Sequence, residues 1–110
     1  MKKLLIIFAS LLISSVAIAA DTFTGKCLLE VENTKYINGP CEITMGKGGT
    51  FQISTLKKGG YFAQVMIDDD GAEGHWNGEP GAGHAHERLG ALKQKGGCWQ
   101  NSTAKVCAWR

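Results

Sequence analysis

Apolar and polar residues alternate along most of this chain, while helical spacing is weak, so strands are the predicted elements. In Lys26-Cys27-Leu28-Leu29-Glu30-Val31-Glu32, the residues Cys27, Leu29 and Val31 share one face, and Lys26, Glu30 and Glu32 take the other. Cys41, Ile43 and Met45 likewise point together, and Asn38-Gly39-Pro40 between the two runs reads as a turn. Next, Phe51–Ser54 and Tyr61–Ile67 flank Lys57-Lys58-Gly59-Gly60, a hairpin signature. The second of these runs is apolar on both faces except at Gln64, which predicts a central place in the sheet. A last hairpin over Cys98–Cys107 sets Cys98 against Cys107, Trp99 against Val106 and Gln100 against Lys105.

Only His84–Gln94 carries helical spacing, with Leu89 and Leu92 three apart, and Gly90 weakens it enough that an edge strand is an equal reading. The glycine-rich stretch 71–83 reads as the longest irregular segment. The expected fold is therefore all-β: a small antiparallel sandwich or barrel, stapled by two disulfides, with at most one short helix. Four cysteines allow three pairings. Strand geometry favours Cys27–Cys41 and Cys98–Cys107 over a long-range pairing of the two ends.

The first nineteen residues stand apart from this pattern. Met1-Lys2-Lys3, the apolar run from Leu4 to Ile18 and the small residues around Ala19 form a secretory signal, with cleavage expected after Ala19 or Ala20. This changes the picture of the remainder, 20–110, which becomes one domain in an oxidising space, periplasmic or secreted. It also changes the charge. Removing Lys2 and Lys3 takes the 12 basic residues to 10, which equals the 10 acidic ones. A neutral mature chain argues against a nucleic-acid partner. No later run is long and apolar enough for a membrane anchor.

Candidate chemistry concentrates between Ile67 and Glu87, which holds all three histidines and six of the ten acidic residues. His84 and His86 fall on one strand face, and with His75 they are candidate ligands for zinc, copper or nickel, with Glu73 or Glu87 completing a set. Asp68-Asp69-Asp70-Gly71 with Glu73 offers oxygen donors for calcium, but lacks the spacing of a helix–loop–helix calcium site. Paired acids such as Glu73 and Glu79, or a histidine beside Ser54 or Ser102, are catalytic in residue type alone, and no nucleophile or redox motif accompanies them. Trp99 and Trp109 are expected in the core, and Trp76 either there or exposed as a binding anchor.

Gly39-Pro40-Cys41, Tyr61-Phe62-Ala63, Gly74-His75-Trp76-Asn77-Gly78, His84-Ala85-His86, Leu89-Gly90-Ala91-Leu92, Cys98-Trp99-Gln100-Asn101 and Val106-Cys107-Ala108-Trp109 form a pattern. It resembles that of small exported proteobacterial proteins. The likeness covers most of the mature chain and implies export and a compact body, but carries no activity to transfer. In layout the chain is also similar to periplasmic lysozyme inhibitors and immunity proteins.

The expected function is a non-enzymatic binding module without a cofactor, acting on a protein such as a hydrolase or toxin. Its predicted contact loop runs from Asp68 to His86, with Asp70, Glu73, His75, Trp76 and Asn77 at the centre. The alternative is a periplasmic metal-binding protein using His75, His84 and His86.

Overall fold

The alternation resolves into eight antiparallel strands that close on themselves. The computed structural model describes residues 21–110. Its strands are β1 (Asp21–Val31), β2 (Thr34–Met45), β3 (Phe51–Thr55), β4 (Phe62–Asp68), β5 (Gly71–Trp76), β6 (Glu87–Lys95), β7 (Cys98–Gln100) and β8 (Ala104–Trp109). Each strand pairs with the next in chain order, and β8 returns to pair with β1. The result is an up-and-down barrel, a form that an even strand number permits and that leaves no free edge. A 3-10 turn at Lys47–Gly49 links β2 to β3. No helix among the described residues is long and apolar enough to cross a membrane. The segment read as a signal peptide, 1–19, lies outside the described residues.

Inward positions fill the barrel. Leu29, Ile43, Ile53, Val65 and Val106 are fully buried, with Ile37, Phe51, Leu89 and Leu92 packed around them. Each such side chain contributes roughly 1.5–3 kcal/mol on burial. The outward positions carry Lys26, Glu42, Gln52, Gln64, Glu73, Arg88, Lys93 and Lys105. That arrangement, apolar inside and charged outside, is the reverse of a lipid-facing barrel.

Both disulfides form as the alternation predicts. Cys27 pairs across the ladder with Gly39, and Cys41 with Gly25, so the two cysteines are diagonal neighbours on the inner face, 5.8 Å apart at Cα. Gly39 serves this geometry: its φ of 136° is open to glycine and strained for other residues. Cys98 and Cys107 sit directly opposite one another, 4.0 Å apart at Cα. Loops of this size contribute about 3 kcal/mol per bridge in the chain-entropy model.

The structure moves several of these elements and decides between others. The first turn is not at Asn38-Gly39-Pro40 but at Glu32-Asn33, where both residues have positive φ (50° and 69°) and form a two-residue hairpin turn. The β2 strand runs through Pro40, which lies where β2 pairs only with β1; its ladder to β3 begins at Cys41, so the missing N–H is tolerated. The stretch 71–76 is β5, leaving 77–86 as the irregular segment. Within 84–94, strand β6 wins over the helix. The β4 strand has no special central place, because closure gives every strand two neighbours.

One end of the barrel is shut by aromatics. Tyr36, Tyr61 and Trp76 meet there, with ring centroids 4.6 to 5.9 Å apart. Trp76 is 8% exposed and belongs to the core. Trp109, expected inside, is 43% exposed at the end of β8.

Candidate functional site

Outward residues of β4, β5 and β6 form the surface that collects most of the predicted contact residues. Antiparallel register places Met66 beside Glu73, Gln64 beside His75, and His75 beside Arg88. Met66 is 51% exposed, large for an apolar side chain on an otherwise polar wall. Around it lie Asp68, Asp70, Glu73, His75 and Ala91, lining a shallow concavity of about 470 Å3.

Charge on this wall is partly paired. Arg88 Nε donates to Glu73 Oε2, and His75 Nε2 stands 3.7 Å from the same oxygen. The hydrogen bond from Arg88, aided by its charge and against some desolvation, holds the Glu73 carboxyl below its usual range. Asp68 and Asp70 lie in the turn into β5, where Asp68 Oδ1 accepts from the Asp70 backbone N–H at 2.8 Å. The acidic run therefore shapes a turn, as Asp commonly does there.

The structure divides the five predicted contact residues. Asp70, Glu73 and His75 come together at the surface around Met66. Trp76 and Asn77 do not join them: the alternation of β5 turns Trp76 inward, and Asn77 is completely buried. Both are therefore corrected from surface contacts to interior residues.

Asn77 instead clamps the irregular segment to the start of β4. Its Nδ2 donates to the carbonyls of Gly60 (3.1 Å) and Ala82 (3.2 Å), and its Oδ1 accepts from the Phe62 N–H. A buried amide must find such partners, and this one does. The clamp raises residues 81–85 as one wall of a groove of about 810 Å3 on the outside of β2, β3 and β4. The β3–β4 loop, Leu56–Gly60, forms another wall.

His84 and His86 both lie on the irregular segment. His86 Nδ1 approaches the His84 carbonyl at 3.0 Å, and His86 Nε2 stands 3.5 Å from Glu87. His75 faces out from β5 beside Glu73. Among the described residues, no three His, Cys, Asp or Glu side chains gather as a ligand set.

Sequence reasoning missed Met66, Leu56 and Arg88 as surface features. Met66 carried a usable signal, since it shares the outward parity of Gln64. No protein-family model, no curated protein and no solved structure matches the chain.

Proposed function

We propose that the chain is an exported, non-enzymatic binding module that docks a protein partner of basic character on the outer wall of β4–β6. The interior is filled by side chains, so recognition belongs to the exterior. The observation that carries this reading is the gathering of Asp68, Asp70, Glu73 and His75 around the exposed Met66. An apolar side chain ringed by acidic groups complements a basic surface with a hydrophobic recess. The scaffold is suited to the task, because a disulfide-stapled barrel presents the wall with little ordering left to do on binding.

Two internal disulfides fit an oxidising compartment, and on this reading, with its leader-like start, the chain works in the periplasm or outside the cell. A module of this kind acts by occupancy, as an inhibitor or immunity protein does, covering the site of a hydrolase or toxin.

The test is a binding series against basic cell-wall hydrolases, with inhibition as the second readout. Met66→Lys is expected to weaken binding by at least about tenfold while leaving the thermal midpoint nearly unchanged. Equal binding by wild type and variant would remove the wall from the reading. Calorimetric titration with zinc, copper and nickel separates the metal alternative: tight binding lost in His84→Ala/His86→Ala would favour it.

A further inference from the structure

The groove outside β2–β4 is a second built surface, separate in chemistry from the wall around Met66. Its floor is set by register. Gln52 and Gln64 lie side by side on adjacent strands, and Glu42, Ser54 and Phe62 form the neighbouring row. Gln64 Nε2 donates to Gln52 Oε1 at 2.9 Å, which aligns two planar amides along the floor. Phe62 sits on the outward parity of β4, half-buried, beside them. Lys57 and Lys58 line one side and His84 the other. The wall bearing His84 is fixed by the buried clamp of Asn77 and by the Gly81 N–H donating to the Gly60 carbonyl at 3.1 Å.

We propose that this groove binds an acidic oligosaccharide, with Gln52, Ser54 and Gln64 meeting its hydroxyls, Phe62 its apolar ring face, and Lys57, Lys58 and His84 its carboxylates. The floor selects the ligand class. An extended peptide docks readily on a sheet by pairing with an open backbone edge, and the closed barrel offers none. What the groove does offer is side-chain amides and hydroxyls, which can donate and accept at once and so match vicinal hydroxyl groups. Beside them lies an aromatic face, on which the apolar side of a sugar ring can rest. The cationic rim adds a preference for negative charge, balanced by a single carboxylate, Glu42.

The experiment titrates the disulfide-formed protein with three probes: a hyaluronan tetrasaccharide, a neutral chitin tetrasaccharide and poly-glutamate. Amide chemical shifts of groove residues and calorimetric heat are followed together. The acidic tetrasaccharide is expected to bind saturably and at least about tenfold more tightly than the neutral one, with affinity falling as salt is added. Gln52→Ala/Gln64→Ala should weaken both sugars about tenfold, while Lys57→Glu/Lys58→Glu should abolish the preference for the acidic one. Met66→Lys, which addresses the other wall, should leave sugar binding intact, so failure of either proposal is visible by itself. Absence of sugar binding at millimolar concentration overturns the assignment. So does poly-glutamate binding as tightly as the acidic sugar, or a neutral sugar binding as tightly as the acidic one.

Discussion

Asn77 and Phe62 are joined by a reciprocal pair of hydrogen bonds: the Phe62 N–H donates to Asn77 Oδ1 at 3.1 Å, and the Asn77 N–H donates to the Phe62 carbonyl at 3.2 Å. The same side chain reaches Gly60 and Ala82. One completely buried amide thus holds the end of β5, the start of β4 and the segment beyond in a single arrangement. Asn77→Ala strands the Phe62 N–H and the Ala82 carbonyl, while the Gly60 carbonyl keeps the Gly81 N–H; each stranded group costs about 1–3 kcal/mol when buried without a partner. Urea denaturation should show a loss of about 2–4 kcal/mol. Asn77→Asp keeps the acceptor, loses both donors and brings a charge into the interior, so it should also destabilise. A change under about 0.5 kcal/mol in both variants would contradict the clamp.

Trp76 and Trp109 should respond unequally to truncation. Trp76 contacts Tyr36 and Tyr61 within the aromatic end of the barrel, so Trp76→Ala is expected to cost about 3–5 kcal/mol. Trp109 is 43% exposed, and Trp109→Ala should cost less than about 1.5 kcal/mol. Thermal unfolding followed by far-ultraviolet circular dichroism compares them; equal losses would contradict the burial pattern.

Strand identity and the staples were legible because alternation is local. Which way Cys27, Cys41, Cys98 and Cys107 face follows from counting residues in twos. The closure of β8 on β1 was not legible, since it depends on contacts far apart in sequence. Strand β5 was hidden for another reason. Gly71 and Gly74 look like loop residues, yet Gly74 lies on the inner face, where an added Cβ would come within 2.7 Å of Leu92 Cδ1 and 3.3 Å of Leu89 Cβ. The glycine makes room for two leucines of the neighbouring strand β6. Once β5 is a strand, parity alone turns Trp76 inward and leaves Glu73 and His75 outside. Hence three of the five predicted contact residues survive at the surface.

The Glu73–Arg88 pair predicts a specific acid response. Arg88 lowers the Glu73 carboxyl from its ordinary value of 4.5, so the pair adds stability above that value. The contribution disappears as pH falls through the lowered value of the folded state. Glu73 is 39% exposed and its partner more so, which keeps the effect small. Wild type should therefore lose slightly more thermal midpoint than Glu73→Gln on acidification from pH 5, and Arg88→Gln should resemble Glu73→Gln. Superimposable acid profiles for all three would show that the pair contributes nothing to folding.

Maturation outside the reducing cytosol and closure by the chain's own cysteines are the two halves of the proposed function. Intact mass spectrometry of protein purified from its natural cells without reductant, with and without alkylation, addresses both halves at once. The expected species is a chain beginning at Ala20 or Asp21, four hydrogens lighter than its reduced form, with no alkyl group added. A chain retaining Met1, or one that takes up four alkyl groups before reduction, would contradict it.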